Sequence, residues 1–103
     1  MIIPEPIKVI FRMWKIGGVG EVIAIIPEEV GDNDPGTCLS YMHIGQHGTC
    51  DPYGLMAESR PATPEEYKDL YDEMTSIGYD IKICKKNLAS YYKVREDTID
   101  AFK

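Results

Sequence analysis

Thr63-Pro-Glu-Glu-Tyr-Lys-Asp-Leu-Tyr-Asp-Glu-Met-Thr-Ser-Ile-Gly78 decides the reading of the chain, because it marks both ends of one helix. Thr63 is an N-cap residue. Pro64 suits the first helical position, where no amide hydrogen is needed, and Glu66 completes a Thr-x-x-Glu capping box. Tyr67, Leu70, Tyr71, Met74 and Ile77 recur at helical spacing and form one apolar stripe. Asp69, Asp72 and Glu73 fall largely on the wet side. Gly78 supplies the positive φ of a C′ residue. Such a helix must bury its stripe against another layer, and the flanking sequence supplies strands.

Upstream, Ile7 to Trp14 alternates as a strand. Ile7, Val9, Phe11 and Met13 share one face. Lys8, Ile10, Arg12 and Trp14 share the other, which is half apolar. Glu21 to Ile26 is a second strand, and Gly17-Gly18 with Gly20 between them suit a tight antiparallel hairpin. Pro27 to Gly36 is an acidic, turn-rich loop; its Asp32, Asn33 and Asp34 lack the spacing of a calcium loop. Thr37 to Ile44 is a third strand, with Leu39, Tyr41 and His43 on one face and Cys38, Ser40, Met42 and Ile44 on the other. Gly45 to Tyr53 reads as an irregular turn, and Gly54 to Arg60 as a short edge strand.

Downstream, Tyr79 to Cys84 is a strand with Tyr79, Ile81 and Ile83 inward. Asn87 caps a second helix reaching about Phe102, with Leu88, Tyr91, Tyr92, Arg95, Thr98, Ile99 and Phe102 on its inner face. The expected fold class is α+β: one domain over 1–103, with a mainly antiparallel sheet of four to five strands, two helices, and the order β-β-β-(β)-α-β-α.

Composition narrows the function. The chain has 103 residues, 44% hydrophobic and 27% charged, which is ordinary for one globular domain. Net charge is −6, with 5 Lys/Arg against 14 Asp/Glu in residues 1–81 and 6 against 3 in residues 82–103. Nonspecific nucleic-acid binding needs many clustered cations, so this balance argues against it. The N-terminal run is broken by Pro4, Glu5 and Pro6 and lacks a basic start, so neither a signal peptide nor a membrane span is expected. Cys38, Cys50 and Cys84 are odd in number and form no Cys-x-x-Cys, which fits a reducing cytoplasm.

The richest chemistry lies in Ser40-Tyr-Met-His-Ile-Gly-Gln-His-Gly-Thr-Cys-Asp51, which holds both histidines of the protein. His43-x3-His47-x2-Cys50 offers zinc-compatible donors, but Gly45 and Gly48 disfavour the helix that would align the two rings. Cys50, His47 and Asp51 are sequence neighbours, which rarely supply the geometry of a catalytic triad. Tyr41, His43, Gln46 and His47 read better as a binding surface of rings and hydrogen-bonding groups. Arg60 is expected to bring a guanidinium fork to it.

Three strings resemble a family of small bacterial proteins of phage and other mobile elements. They are Ser-Tyr-Met-His-Ile-Gly-Gln-His-Gly at 40–48, Arg-Pro-Ala-Thr-Pro-Glu-Glu-Tyr at 60–67, and Ile-Gly-Tyr-Asp-Ile-Lys-Ile at 77–83. Glu-Val-Ile-Ala-Ile-Ile-Pro-Glu at 21–28 also fits. The resemblance spans about residues 7–86 and brings no established activity, so it assigns no catalytic residue. It implies the strand order above and an accessory role in phage or plasmid life.

The expectation is therefore a cytoplasmic, non-catalytic binding protein. It has no cofactor or metal, and its partner is a host protein or a small nucleotide-like ligand. One alternative is a small hydrolase or metal-dependent enzyme centred on His43 and His47. Another is a homo-oligomeric structural protein, such as a homodimer formed through an exposed strand edge.

Overall fold

The computed structural model describes residues 6–16, 19–43 and 45–102, with the backbone alone at 15, 16 and 19. The expectations for the N-terminal five residues, for the Gly17-Gly18 turn and for Ile44 lie outside the described residues. Strand β1 (Ile7–Ile16) runs antiparallel to β2 (Val19–Ile26), with Phe11 opposite Ala24. Next come β3 (Cys38–Met42), β4 (Gln46–Cys50), helix α1 (Pro52–Glu58), β5 (Ser59–Pro61), α2 (Pro64–Ser76), β6 (Ile81–Cys84) and α3 (Ala89–Ala101). The fold is α+β, as expected, with an additional strand and helix.

The strand order is β4-β3-β2-β1-β5, and β6 also pairs with β1. The length of β1 explains this arrangement. Its first half, Ile7 to Ile10, pairs in parallel with β6, and its second half, Arg12 to Trp14, pairs antiparallel with β5. Among the described residues, β1–β6 is the parallel pair and the other strand pairs are antiparallel.

Both sheet faces are covered, which is why the second face of β1 is half apolar. Val9, Phe11, Ala24, Ile26 and Tyr41 form one core with Leu70 and Met74 of α2, and the Phe11 ring stacks on Tyr67 at 4.6 Å. Ile10, Ile23, Ile25 and Cys38 form the other core with Leu55 of α1. Arg12 ties that face together. Its Nε donates to Ser59 Oγ at 2.9 Å and its Nη2 donates to the carbonyl of Ser59 at 2.6 Å, and burial lowers its pKa. Helix α3 is anchored by Tyr91 and by fully buried Arg95, which donates to the carbonyls of Pro27 at 2.5 Å and Pro35 at 2.9 Å.

Several sequence expectations are corrected. Residues 46–50 form a strand rather than an irregular turn. Gln46 to Thr49 are exposed, so this edge strand carries no apolar alternation to betray it. Of residues 54–60, expected as an edge strand, 54–58 belong to helix α1 and Ser59 and Arg60 to strand β5. Asp51 caps the helix by accepting from the Tyr53 amide at 3.0 Å, and Pro52 opens it. Ile77 is 54% exposed because α2 has already ended there, and Ile83 is also exposed. Leu88, not Asn87, holds the N-cap position of α3. Leu88, Tyr92 and Phe102 are exposed, so its inner face keeps buried Tyr91 and Arg95 with half-buried Thr98 and Ile99.

The capping box stands as read: Thr63 Oγ1 accepts from the Glu66 amide at 3.3 Å and Glu66 Oε1 accepts from the Thr63 amide at 2.9 Å. Gly78 adopts φ +111°, as a C′ residue requires. Among the described residues, no helix is long and apolar enough to cross a membrane.

Candidate functional site

Tyr41 lies on the face of β3 that packs on α2, so its ring is buried and its hydroxyl reaches the rim of the helix. There it donates to Oε2 of Glu73. His43, two residues on, contacts Oε1 of the same carboxylate through Nδ1. The Gly45 amide donates to the Tyr41 hydroxyl at 3.0 Å and to Glu73 Oε2 at 3.2 Å. Gly45 can offer its amide in this tight turn because it adopts φ +66°, which glycine tolerates at no steric cost.

One carboxylate therefore ties Tyr41, His43 and Gly45 together where β3 passes into β4. The Tyr41 hydroxyl, helped by the Gly45 amide and His43 against the effect of burial, holds Glu73 below the usual carboxylate range. The same bond, with burial, pushes the Tyr41 phenol up. Both shifts keep the phenol as donor and the carboxylate as acceptor.

His47 sits opposite Tyr41 across the β3–β4 pair. Its ring meets the Tyr41 ring edge-on at 4.7 Å, and its Nε2 lies 2.7 Å from the Tyr79 hydroxyl. Tyr41, His43 and His47 thus come together as the sequence suggested, joined by Glu73 and Tyr79.

The other two residues of the expected surface do not join them. Gln46 faces Met42 in the register, one residue out of phase with the Tyr41–His47 pair, and so points to the opposite sheet face. Arg60 lies on β5, with β1, β2 and β3 between it and β4. Its guanidinium is held in a two-pronged pair with Glu66, at 2.7 and 2.6 Å. That pair raises the Arg60 pKa and, with the Thr63 amide, pulls the Glu66 carboxyl down to about 2.

Between β2 and α2 runs a groove of about 260 Å³, lined by Glu21, Val22, His43, Glu66, Asp69 and Leu70. Among the described residues, neither Glu21 nor Asp69 forms a side-chain hydrogen bond or ion pair. Glu66 carries its charge in partnership with Arg60; Glu21 and Asp69 present theirs to the groove. The sequence held a signal for this wall. Glu66, Asp69 and Glu73 recur at spacings of three and four, which sets an acidic row along one edge of α2.

Among the described residues, the groove lining contains no serine, threonine or cysteine to serve as a nucleophile. Among the described residues, no group of three or more His, Cys, Asp or Glu side chains is arranged to hold a metal ion. Comparison with protein-family models, with curated proteins and with solved structures gives no match.

Proposed function

We propose that the protein is a non-catalytic binding module whose groove between β2 and α2 receives a basic segment of a partner protein. The observation that supports this reading is that Glu21 and Asp69, carboxylates without a hydrogen-bond or ion-pair partner among the described residues, line a groove of about 260 Å³ together with His43. A lysine or arginine side chain offers the matching charge and an apolar stem for Val22 and Leu70. A nucleotide suits the groove poorly, since Arg60, the cation expected to meet its phosphates, is spent on Glu66. The resemblance to mobile-element proteins makes a bacterial host protein the natural class of partner.

The test is calorimetric titration with a hexa-arginine peptide at about 0.05 M ionic strength, where surface charges are weakly screened. Binding to the wild type is expected, with at least a tenfold loss in a Glu21→Gln, Asp69→Asn variant. Equal binding by both proteins, or none by the wild type, overturns the proposal.

A second reading rests on the His43–Glu73 contact. A carboxylate on Nδ1 fixes the ring and leaves Nε2 as a proton acceptor, the arrangement of a general base. Hydrolysis of an activated ester that vanishes in His43→Gln and survives in Glu21→Gln would favour this reading over simple docking.

A further inference from the structure

Cys38 and Cys50 are twelve residues apart in sequence and directly opposite each other on β3 and β4. Their sulfurs lie 3.7 Å apart, and both are free thiols. Opposed residues of an antiparallel pair have Cα separations of ~4.5–5.5 Å, inside the range a disulfide spans, so closing this pair asks for side-chain rotation and no strand movement. The two thiols differ in access. Cys38 is fully buried in the core under α1. Cys50 is half-buried and lines two surface cavities, one with Trp14, Ser40 and His47 and the other with Asp51 and Gly54.

We propose that Cys38 and Cys50 are a redox-active dithiol that low-molecular-weight disulfides oxidise to an intrachain disulfide, with Cys50 as the attacking thiol and Cys38 as the resolving one. Neither the binding groove nor the His43–Glu73 contact is needed for this chemistry. In the first step the Cys50 sulfur, its proton lost to solvent, attacks one sulfur of the small disulfide. The disulfide bond of the oxidant breaks, and the departing thiolate takes up a proton. In the second step the Cys38 thiol gives up its proton and attacks Cys50 Sγ, releasing the second small thiol. Two protein thiols are oxidised by two electrons, and one small disulfide is reduced to two thiols.

The surroundings divide the roles in the same sense. The hydrogen bond from Cys38 lowers the Cys50 pKa against the effect of burial, with Ser40 assisting, while the same bond and burial push Cys38 up. Asp51 opposes the Cys50 thiolate, and the buried Arg95 cation favours both thiolates. Among the described residues Arg95 has no carboxylate partner in an ion pair, and its Nη2 has no hydrogen-bond partner.

The test exposes the folded full chain to glutathione disulfide and follows intact mass and peptide maps. Wild type and Cys84→Ser are both expected to lose two hydrogen atoms, to retain no glutathione, and to yield a linked Cys38–Cys50 peptide. Cys38→Ala is expected to stop at one glutathione on Cys50. Cys50→Ser is expected to react at least tenfold more slowly than wild type at the 38–50 pair. Should Cys38→Ala fail to fold, the Cys84→Ser protein still decides the matter, because only its two remaining thiols can form the link. Glutathione that stays on Cys50 of the wild type, or a Cys84→Ser protein that resists oxidation while folded, overturns the proposal.

Discussion

Nδ1 of His43, just past the end of β3, meets Oε1 of Glu73, 30 residues further on along α2. The other oxygen of that carboxylate takes the Tyr41 hydroxyl and the Gly45 amide. The helix therefore positions the β3–β4 turn through one side chain. Replacing Glu73 by Gln keeps the shape and removes the charge that all three donors share. The Glu73→Gln protein should melt at a lower temperature. Its Tyr41 phenol should titrate closer to the ordinary tyrosine value, because the contact that raised it is weakened. Heteronuclear NMR of the Tyr41 ring through an alkaline titration measures this; an unchanged midpoint would mean that burial alone sets the shift.

The Arg60–Glu66 pair gives stability a defined acid dependence. The folded Glu66 carboxyl sits at about 2 against an ordinary value of 4.5. The unfolded chain therefore binds the proton first as pH falls, and the contribution, complete above 4.5, is lost on the way down to 2. Urea midpoints of the wild type should fall through this window. In Glu66→Gln the fall should be shallower but not absent, since Glu73 is lowered too and acts in the same direction. Identical slopes would show that the pair adds nothing.

Residues 63–78 show how far sequence pattern reaches and where it stops. The cap, the stripe and Gly78 were legible because each depends on neighbours within one or two turns. Ile77 matched the stripe by spacing, yet it is exposed, since spacing does not say where the opposing layer ends. Met74, three residues earlier, is fully buried against β1–β3. Met74→Ala should therefore cost about 2–5 kcal/mol, while Ile77→Ala should stay within about 0.5 kcal/mol of wild type. Chemical denaturation of the two variants makes the comparison; equal costs would contradict the boundary of the core.

The capping box is independent of that core and can be measured separately. Thr63→Ala removes the acceptor for the Glu66 amide and should cost about 0.5–2 kcal/mol. Glu66 serves both the cap and Arg60, so the costs of Thr63→Ala and Glu66→Gln should not add in the double variant. Additivity within error would separate the two roles.

The site was half legible for a related reason. Tyr41 and His43 are two residues apart, and although β3 ends at Met42, one residue short of His43, both reach the Glu73 carboxylate. His47 joins them only because residues 46–50 turn back as a strand, and the exposed, glycine-containing string gave no periodic sign of it. Glu73 and Tyr79 enter from α2 and its C-terminal end, so their arrival depends on how the helix crosses the sheet. Arg60, placed by sequence beside the histidines, is drawn instead to a carboxylate six residues away.

The two histidines should respond differently to removal. His47 contacts the Tyr79 hydroxyl at 2.7 Å and lies edge-on to Tyr41, so it braces β4 against two aromatic side chains. A net hydrogen bond and an edge-on ring pair each contribute about 0.5–1.5 kcal/mol. His47→Ala should therefore destabilise the fold by about 1–3 kcal/mol, with the loss seen as faster amide exchange along β4 before the rest of the sheet opens. The His43 side chain is 63% exposed, and the Glu73 carboxylate it leaves keeps Tyr41 and Gly45 as donors. His43→Ala should accordingly change the urea midpoint less than His47→Ala while changing the groove chemistry more. Hydrogen exchange and hexa-arginine titration on the same pair of variants distinguish the effects. If His43→Ala proves the more destabilising and leaves peptide binding intact, His43 is a structural strut, and the groove reading rests on Glu21 and Asp69 alone.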